Sequence, residues 1–265
     1  MSFDISSYNS VVDGLEKFLD DIDGKVRVAI PQAEQEALDL PYVRLIPPVQ
    51  RAVKTCADKL IEICKWLWDK VIEIMKGIRA PYDMYLRSRD WTDVRDSVSS
   101  IQGEIDPNNL AVNRVWKGAA QLAYMKSNTA QSAASGKVGD IADKTKTVLI
   151  ESAVAGLAFY AGLLSICWQF LASLAAAIAA LATGVGAPIS LADIAADSGI
   201  TTAQIWVAVG LLSAFVGQQA RSFGDLHSAA SDNSSFPGGR WPDPISSTFS
   251  DASVGGDNES KWRLN

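Results

Sequence analysis

The chain has 265 residues, 48% of them apolar, a formal net charge of −6 and a pI near 4.9. That length can bury a real core in one large domain or two small ones. The acidic balance shows no basic footprint of the kind nucleic-acid binding needs, so no nucleic-acid partner is expected.

Met1 to Asp21 carries acidic residues and no basic stretch before an apolar run, so a Sec signal peptide is not expected. Residues 4–24 read as a short helix with Val11, Val12, Leu15, Phe18 and Leu19 on one side. A Pro-punctuated connection follows at Pro31, Pro41, Pro47 and Pro48, and Pro47-Pro48 suits the first turn of a new helix. From Val53 an apolar seam runs through Ala57, Leu60, Cys64, Leu67, Val71, Ile74 and Ile78 in alternating steps of four and three. Such a heptad seam predicts a long helix packed lengthwise on another. Ile61, Trp68, Ile72 and Met75 form a second stripe, which marks Ile61, Trp68 and Met75 as a candidate assembly face, against residues 4–24 or a second subunit.

Gly77 and Pro81 end that helix. Trp91, Val94, Val98, Ile101 and Ile105 then repeat the heptad spacing, and Asp106-Pro107-Asn108-Asn109 is a turn signal. Trp116-Lys117-Gly118 precedes an Ala-rich helical pattern through Ala120, Ala123, Ala130, Ala134, Val138, Ile141 and Val148, whose small residues let a neighbouring helix come close. No charged residue occurs from Ser152 to Ala192, nor from Ser198 to Ala220, and Thr183 to Pro188 between them is a turn by composition. This predicts an apolar helical hairpin, about 152–182 paired with about 200–220, carrying Phe159, Trp168, Phe170, Trp206 and Phe215. From Gly224 the chain is rich in Ser, Gly, Asp, Asn and Pro and reads as a polar tail, disordered when alone.

Residues able to carry chemistry are sparse. The one histidine, His227, lies at the start of the polar tail, with no nucleophile beside it in sequence. Cys56 and Cys64 sit about 12 Å apart along a helix axis, too far to bridge, and with Cys167 they read as small core residues. Gly184-Val185-Gly186 follows a helix rather than a strand, so it fails the context a phosphate-binding loop requires. No catalytic residue, cofactor or metal is expected.

Trp116-Lys117-Gly118, between two amphipathic stretches, calls for a bulky anchor in an interhelix cleft and a glycine where the backbone turns. With Tyr124 and the Ala-rich stretch after it, residues 83–150 resemble the WXG family of actinobacterial type VII (ESX) secretion substrates. The resemblance implies an exported, non-catalytic helical hairpin with Trp116, Gly118 and Tyr124 at its motif, and a WXG-type partner. One departure stands out: the family's Tyr-X-X-X-Asp/Glu export signal has no match, since Tyr124 is followed four positions on by Asn128.

The apolar region supports two readings. Lys137, Lys144 and Lys146 precede it and Arg221 follows, while only Asp193 and Asp197 lie in its loop, as expected of a membrane hairpin with both basic ends on one side. Its alanine-rich stretch and Gln169, Gln204, Gln218 and Gln219 suit a buried helix pair in a soluble assembly equally well, and the mean hydropathy of +0.08 is intermediate.

The expected fold is all-α, in four parts: an N-terminal helical region (1–82), a WXG-like hairpin (83–150), an apolar hairpin (151–222) and a polar tail (223–265). The expected function is that of a non-enzymatic type VII secretion-associated structural or interaction protein. It would form a homo-oligomer, associate with membrane through its apolar hairpin, and be secreted or attached to the cell envelope. The alternatives are a pore-forming effector and a soluble scaffold subunit, with the cytoplasmic membrane or a cytoplasmic assembly as the other locations.

Overall fold

A computed structural model describes residues 3–111, 116–117, 119–184, 209–210, 213–217, 219–244 and 263–264. The chain is all-α. Among the described residues its α-helices are α1 (Ile5–Gly24), α2 (Ile30–Asp39), α3 (Pro41–Leu45), α4 (Pro47–Met75), α5 (Ala80–Ile105), α6 (Ala119–Ala182) and α7 (219–231), with a further helical stretch at 213–217, and a two-residue antiparallel ladder pairs Trp116-Lys117 with Arg263-Leu264. It divides into two compact units, one of 1–83 with 152–217 and the other of 84–151 with 218–265.

Local chemistry starts and stops these helices. The Asp4 carboxylate accepts from the Ser6 and Ser7 amides and so caps α1; the Ser7 hydroxyl, donating to the same carboxylate, and then those amides hold its pKa below the usual carboxylate range. Where the sequence predicts a Pro-punctuated connection, the path stays largely helical. Pro41 and Pro47 each open a new helix after an extended residue, where a first-turn amide needs no helical partner, whereas Pro31 lies in a helical path continuous with the stretch before it. Between α1 and α2 the helix widens into a π turn, Lys25–Ala29. Gly184 closes α6 with φ +67, its amide donating to the Leu181 carbonyl across 2.9 Å.

The first unit has one apolar core. Of the heptad seam, Ile74 and Ile78 are only partly buried, whereas Val53, Ala57, Leu60, Cys64, Leu67 and Val71 line α4 at most 1% exposed, and Cys56 outside the seam is buried with them. They join Leu15, Phe18 and Ile22 of α1, Ile30, Ala33 and Ala37 of α2, and Val43 of α3. Leu163, Cys167, Phe170, Leu174 and Leu181 of α6 complete the same cluster. Burial pushes the Cys64 and Cys167 thiols up to about 12, so both stay protonated and serve as packing groups. A Cβ on Gly156 would lie 2.5 Å from the Pro81 ring, so that contact admits only glycine.

The second unit is built differently. Residues of α6 up to Glu151 run antiparallel to α5: the Ser135 hydroxyl donates to the Val98 carbonyl across 3.0 Å, and Arg95 lies 3.4 Å from Asp143. Gly136 faces Gln102 so closely that a Cβ would come within 3.0 Å of the Gln102 amide. α7 returns along α6, with Gln219 donating to Glu151 across 3.3 Å, Lys137 2.8 Å from Asp232, and Gln131 donating to the Pro242 carbonyl across 3.0 Å. Residues 219–231, read from composition mostly as tail, are therefore a helix, bonded to Glu151 at its first residue and followed directly by the Asp232 pair with Lys137. The buried positions of α6 here are Ser127, Asn128, Ala134, Ser135, Ala142, Thr145 and Val148, mostly small or polar.

The boundary expected at 150/151 falls inside α6, which continues unbroken from Ala119 to Ala182. Its residues up to Glu151 belong to one unit and those from Ser152 to the other.

Candidate functional site

Among the described residues no three His, Cys, Asp or Glu side chains are grouped to hold a metal, and His227 is an exposed residue of α7.

At the WXG-like motif, Trp116 and Lys117 do not form a tight turn between helices. Their backbone is extended and pairs antiparallel with Leu264 and Arg263. α5 ends at Ile105 and α6 begins at Ala119, so the connection is longer than a tight turn; Asp106 opens it by accepting from the Asn108 amide across 2.8 Å. Gly118 lies outside the described residues. Tyr124 is on the first turns of α6 with its ring partly exposed. The helices on either side do form a hairpin, through the contacts of Ser135, Gly136 and Asp143 with α5 described above.

That hairpin leaves part of its apolar seam uncovered. Of the seam on α5, Val94 is 38% exposed and Ile101 46%, while Trp91, Val98 and Ile105 are half-buried. Leu122 of α6 is also exposed. Ser88 is the only fully buried residue of α5 within this unit. An amphipathic helix of this length normally covers its apolar stripe.

The assembly face predicted on α4 lies within the first unit. Ile61, Trp68 and Met75 are partly buried and pack against its core. Trp68 lines a groove with Ile22 and Asp23, so this residue faces the C-terminal end of α1.

On the apolar half of α6, Phe170 is a core residue and Phe159 packs against the core, its ring edge-on to Tyr160 at 5.1 Å. Trp168 points outward, 39% exposed, with the Lys17 ammonium 5.8 Å from its ring centroid. Ala158, Ala161, Gly162, Ser165, Ala172, Ala175 and Ala179 share the exposed side. Phe215 is half-buried in a helical stretch and Val209 packs against the core, whereas Trp206 lies outside the described residues. α6 is long and apolar enough to cross a membrane, with a most apolar window of mean hydropathy 1.9 that is 33% buried.

No protein-family model matches the chain, and no curated protein or solved structure matches it.

Proposed function

We propose that the chain is a non-enzymatic structural and interaction protein, associated with type VII secretion, whose second unit assembles with a further helical hairpin. The partner is a second copy or a WXG-type protein. The observation that carries the reading is the pair Val94 and Ile101, one heptad apart on α5 and both exposed. Two apolar side chains at that spacing are half of a helix–helix seam, and covering the 38% and 46% of them that remains exposed is worth about 1 kcal/mol each. The WXG resemblance of residues 83–150 supports the same reading, and it makes the secreted or envelope-bound compartment the expected location.

The test is the mass in solution. Wild-type protein should run in light scattering above its 28.4 kDa chain mass, or at that mass until a WXG-type partner is added. Val94→Glu with Ile101→Glu should return it to a monomer of unchanged helicity. A double variant that assembles as the wild type does would overturn the proposal.

A second reading, membrane association, is favoured by the exposed small-residue side of α6 beside Trp168. Its opposite side is committed to the protein core, so contact with lipid is assigned to the exposed side and not to a span. Flotation of the protein with liposomes tests it.

A further inference from the structure

The groove that Trp68 lines adjoins a π turn that ends just short of a proline, Pro31. In a regular α-helix, residue 31 would donate its amide to the Arg27 carbonyl, but Pro31 has no amide hydrogen and its ring collides with the carbonyl four residues back. The chain answers by widening: Lys25–Ala29 forms a π turn and the Ile30 amide reaches back five residues to the Lys25 carbonyl. Beside this turn, a cavity of about 470 Å³ lies between the stretch and α4, lined by Ile22, Asp23, Val26 and Arg27 on one side and Lys65, Trp68 and Asp69 on the other. Single π turns of this kind are frequent at functional sites, and the volume is that of a small-molecule pocket.

The lining has a definite chemistry. Ile22, Val26 and the half-buried Trp68 offer an apolar wall with an aromatic face. Asp23 and Arg27 are already paired at 2.7 Å. Lys65 and Asp69 are not: among the described residues neither forms an ion pair or a hydrogen bond, although they stand one helical turn apart. Their neighbours on α4 do close, Lys59 on Glu62 at 2.5 Å and Lys70 on Glu73 at 2.8 Å. The groove mouth thus presents one free cation and one free anion beside an indole ring.

We propose that the groove beside the π turn, between Ile22 and Trp68, binds a small zwitterion with an aromatic side chain, of the free amino-acid class. Its carboxylate pairs with Lys65, its ammonium with Asp69, and its ring lies against Trp68 over Ile22 and Val26. A monoanion or a monocation would satisfy one of the two charges and leave the other opposed to nothing.

Calorimetric titration of the full chain tests this with three probes of one shape: L-phenylalanine, 3-phenylpropionate and 2-phenylethylammonium. Phenylalanine should bind saturably at one site, with each single-charge probe about tenfold weaker, the loss typical of one charge-assisted hydrogen bond. Lys65→Gln should weaken phenylalanine about tenfold and leave 2-phenylethylammonium unchanged; Asp69→Asn should weaken phenylalanine and leave 3-phenylpropionate unchanged. Both side chains are exposed, so the variants keep the fold, which circular dichroism checks. Absence of saturable phenylalanine binding would overturn the proposal. So would phenylalanine binding that neither substitution alters.

Discussion

The Tyr160 hydroxyl of α6 donates to the Ile74 carbonyl in the last turn of α4 across 3.2 Å, and Gly77 just beyond leaves it room, since a Cβ there would lie 3.1 Å from the phenol oxygen. The last carbonyls of a helix lack partners within it. Tyr8 of α1 serves the same end by donating to the Ile78 carbonyl across 3.1 Å. Two phenols therefore tie the end of α4 to α1 and α6.

Both phenols resist ionisation. Burial, with a smaller contribution from Tyr8, pushes Tyr160 up to about 12, and burial with the Asp83 carboxylate raises Tyr8. The folded state thus prefers the neutral form more strongly than the unfolded chain does. Its stabilisation is complete below the unfolded pKa near 10 and is lost as the pH rises from there toward 12. Urea midpoints measured from pH 8 to 12 should fall steeply above pH 10. Tyr160→Phe should cost about 1 kcal/mol at pH 8 and flatten part of that fall. An equally steep alkaline fall in the variant would show that this phenol is not its source.

The second unit has an acid-side counterpart. Asp232 is held down to about 2 by its hydrogen bond to Lys137, helped by Ser234. The carboxylate form is favoured by folding, so its contribution is complete above the unfolded value of 3.8 and disappears as the pH falls through about 2. Because Asp232 is at the surface, the global effect is small; the local one should be visible. Amide exchange in 219–231 should accelerate in Asp232→Asn at pH 5, while exchange in α4 stays as it was. If α7 keeps its protection, the ion pair does not hold it.

Core positions of the first unit should be costly to truncate. Leu67 on α4 and Leu163 on α6 are 1% and 0% exposed within one cluster. Replacing either by alanine removes buried methyl groups and leaves a cavity, at about 2–5 kcal/mol. Denaturation by urea reads the loss, and a cost below about 1 kcal/mol for both would mean that α6 is not packed on α4 as described.

The fold was legible where one helix face answers to one core. The heptad of Val53, Ala57, Leu60, Cys64, Leu67 and Val71 names the buried side of α4 before any coordinates, and the uncharged run from Ser152 names the apolar half of α6. Pro31 misled because a proline shows where a regular helix is disturbed, not how; here the chain widened instead of breaking. α7 escaped because its polar composition carries little helical signal, and short helices owe most of their stability to tertiary contacts, here Gln219 on Glu151 and, just past the helix, Asp232 on Lys137. The groove at Trp68 could not be read at all. Trp68 looks like any apolar position in a stripe, and the gap beside it lies against a π turn in another part of the chain.

The last expectation separates the two sides of α6. Ala161 and Ala175 are exposed, whereas Leu163 and Leu174 are buried in the core. Lysine at both alanines adds two charged side chains to the exposed side without entering the core, and exposed substitutions of this kind usually stay within about 0.5 kcal/mol. Ala161→Lys with Ala175→Lys should therefore keep the wild-type urea midpoint. If wild-type protein floats with liposomes, the double variant should not, since a lysine costs about 2.5–3.5 kcal/mol at the centre of an apolar span and part of that at a lipid-facing surface. Wild-type protein that ignores liposomes removes the membrane reading and leaves assembly through Val94 and Ile101. A double variant that unfolds would show instead that this side of α6 is covered by protein.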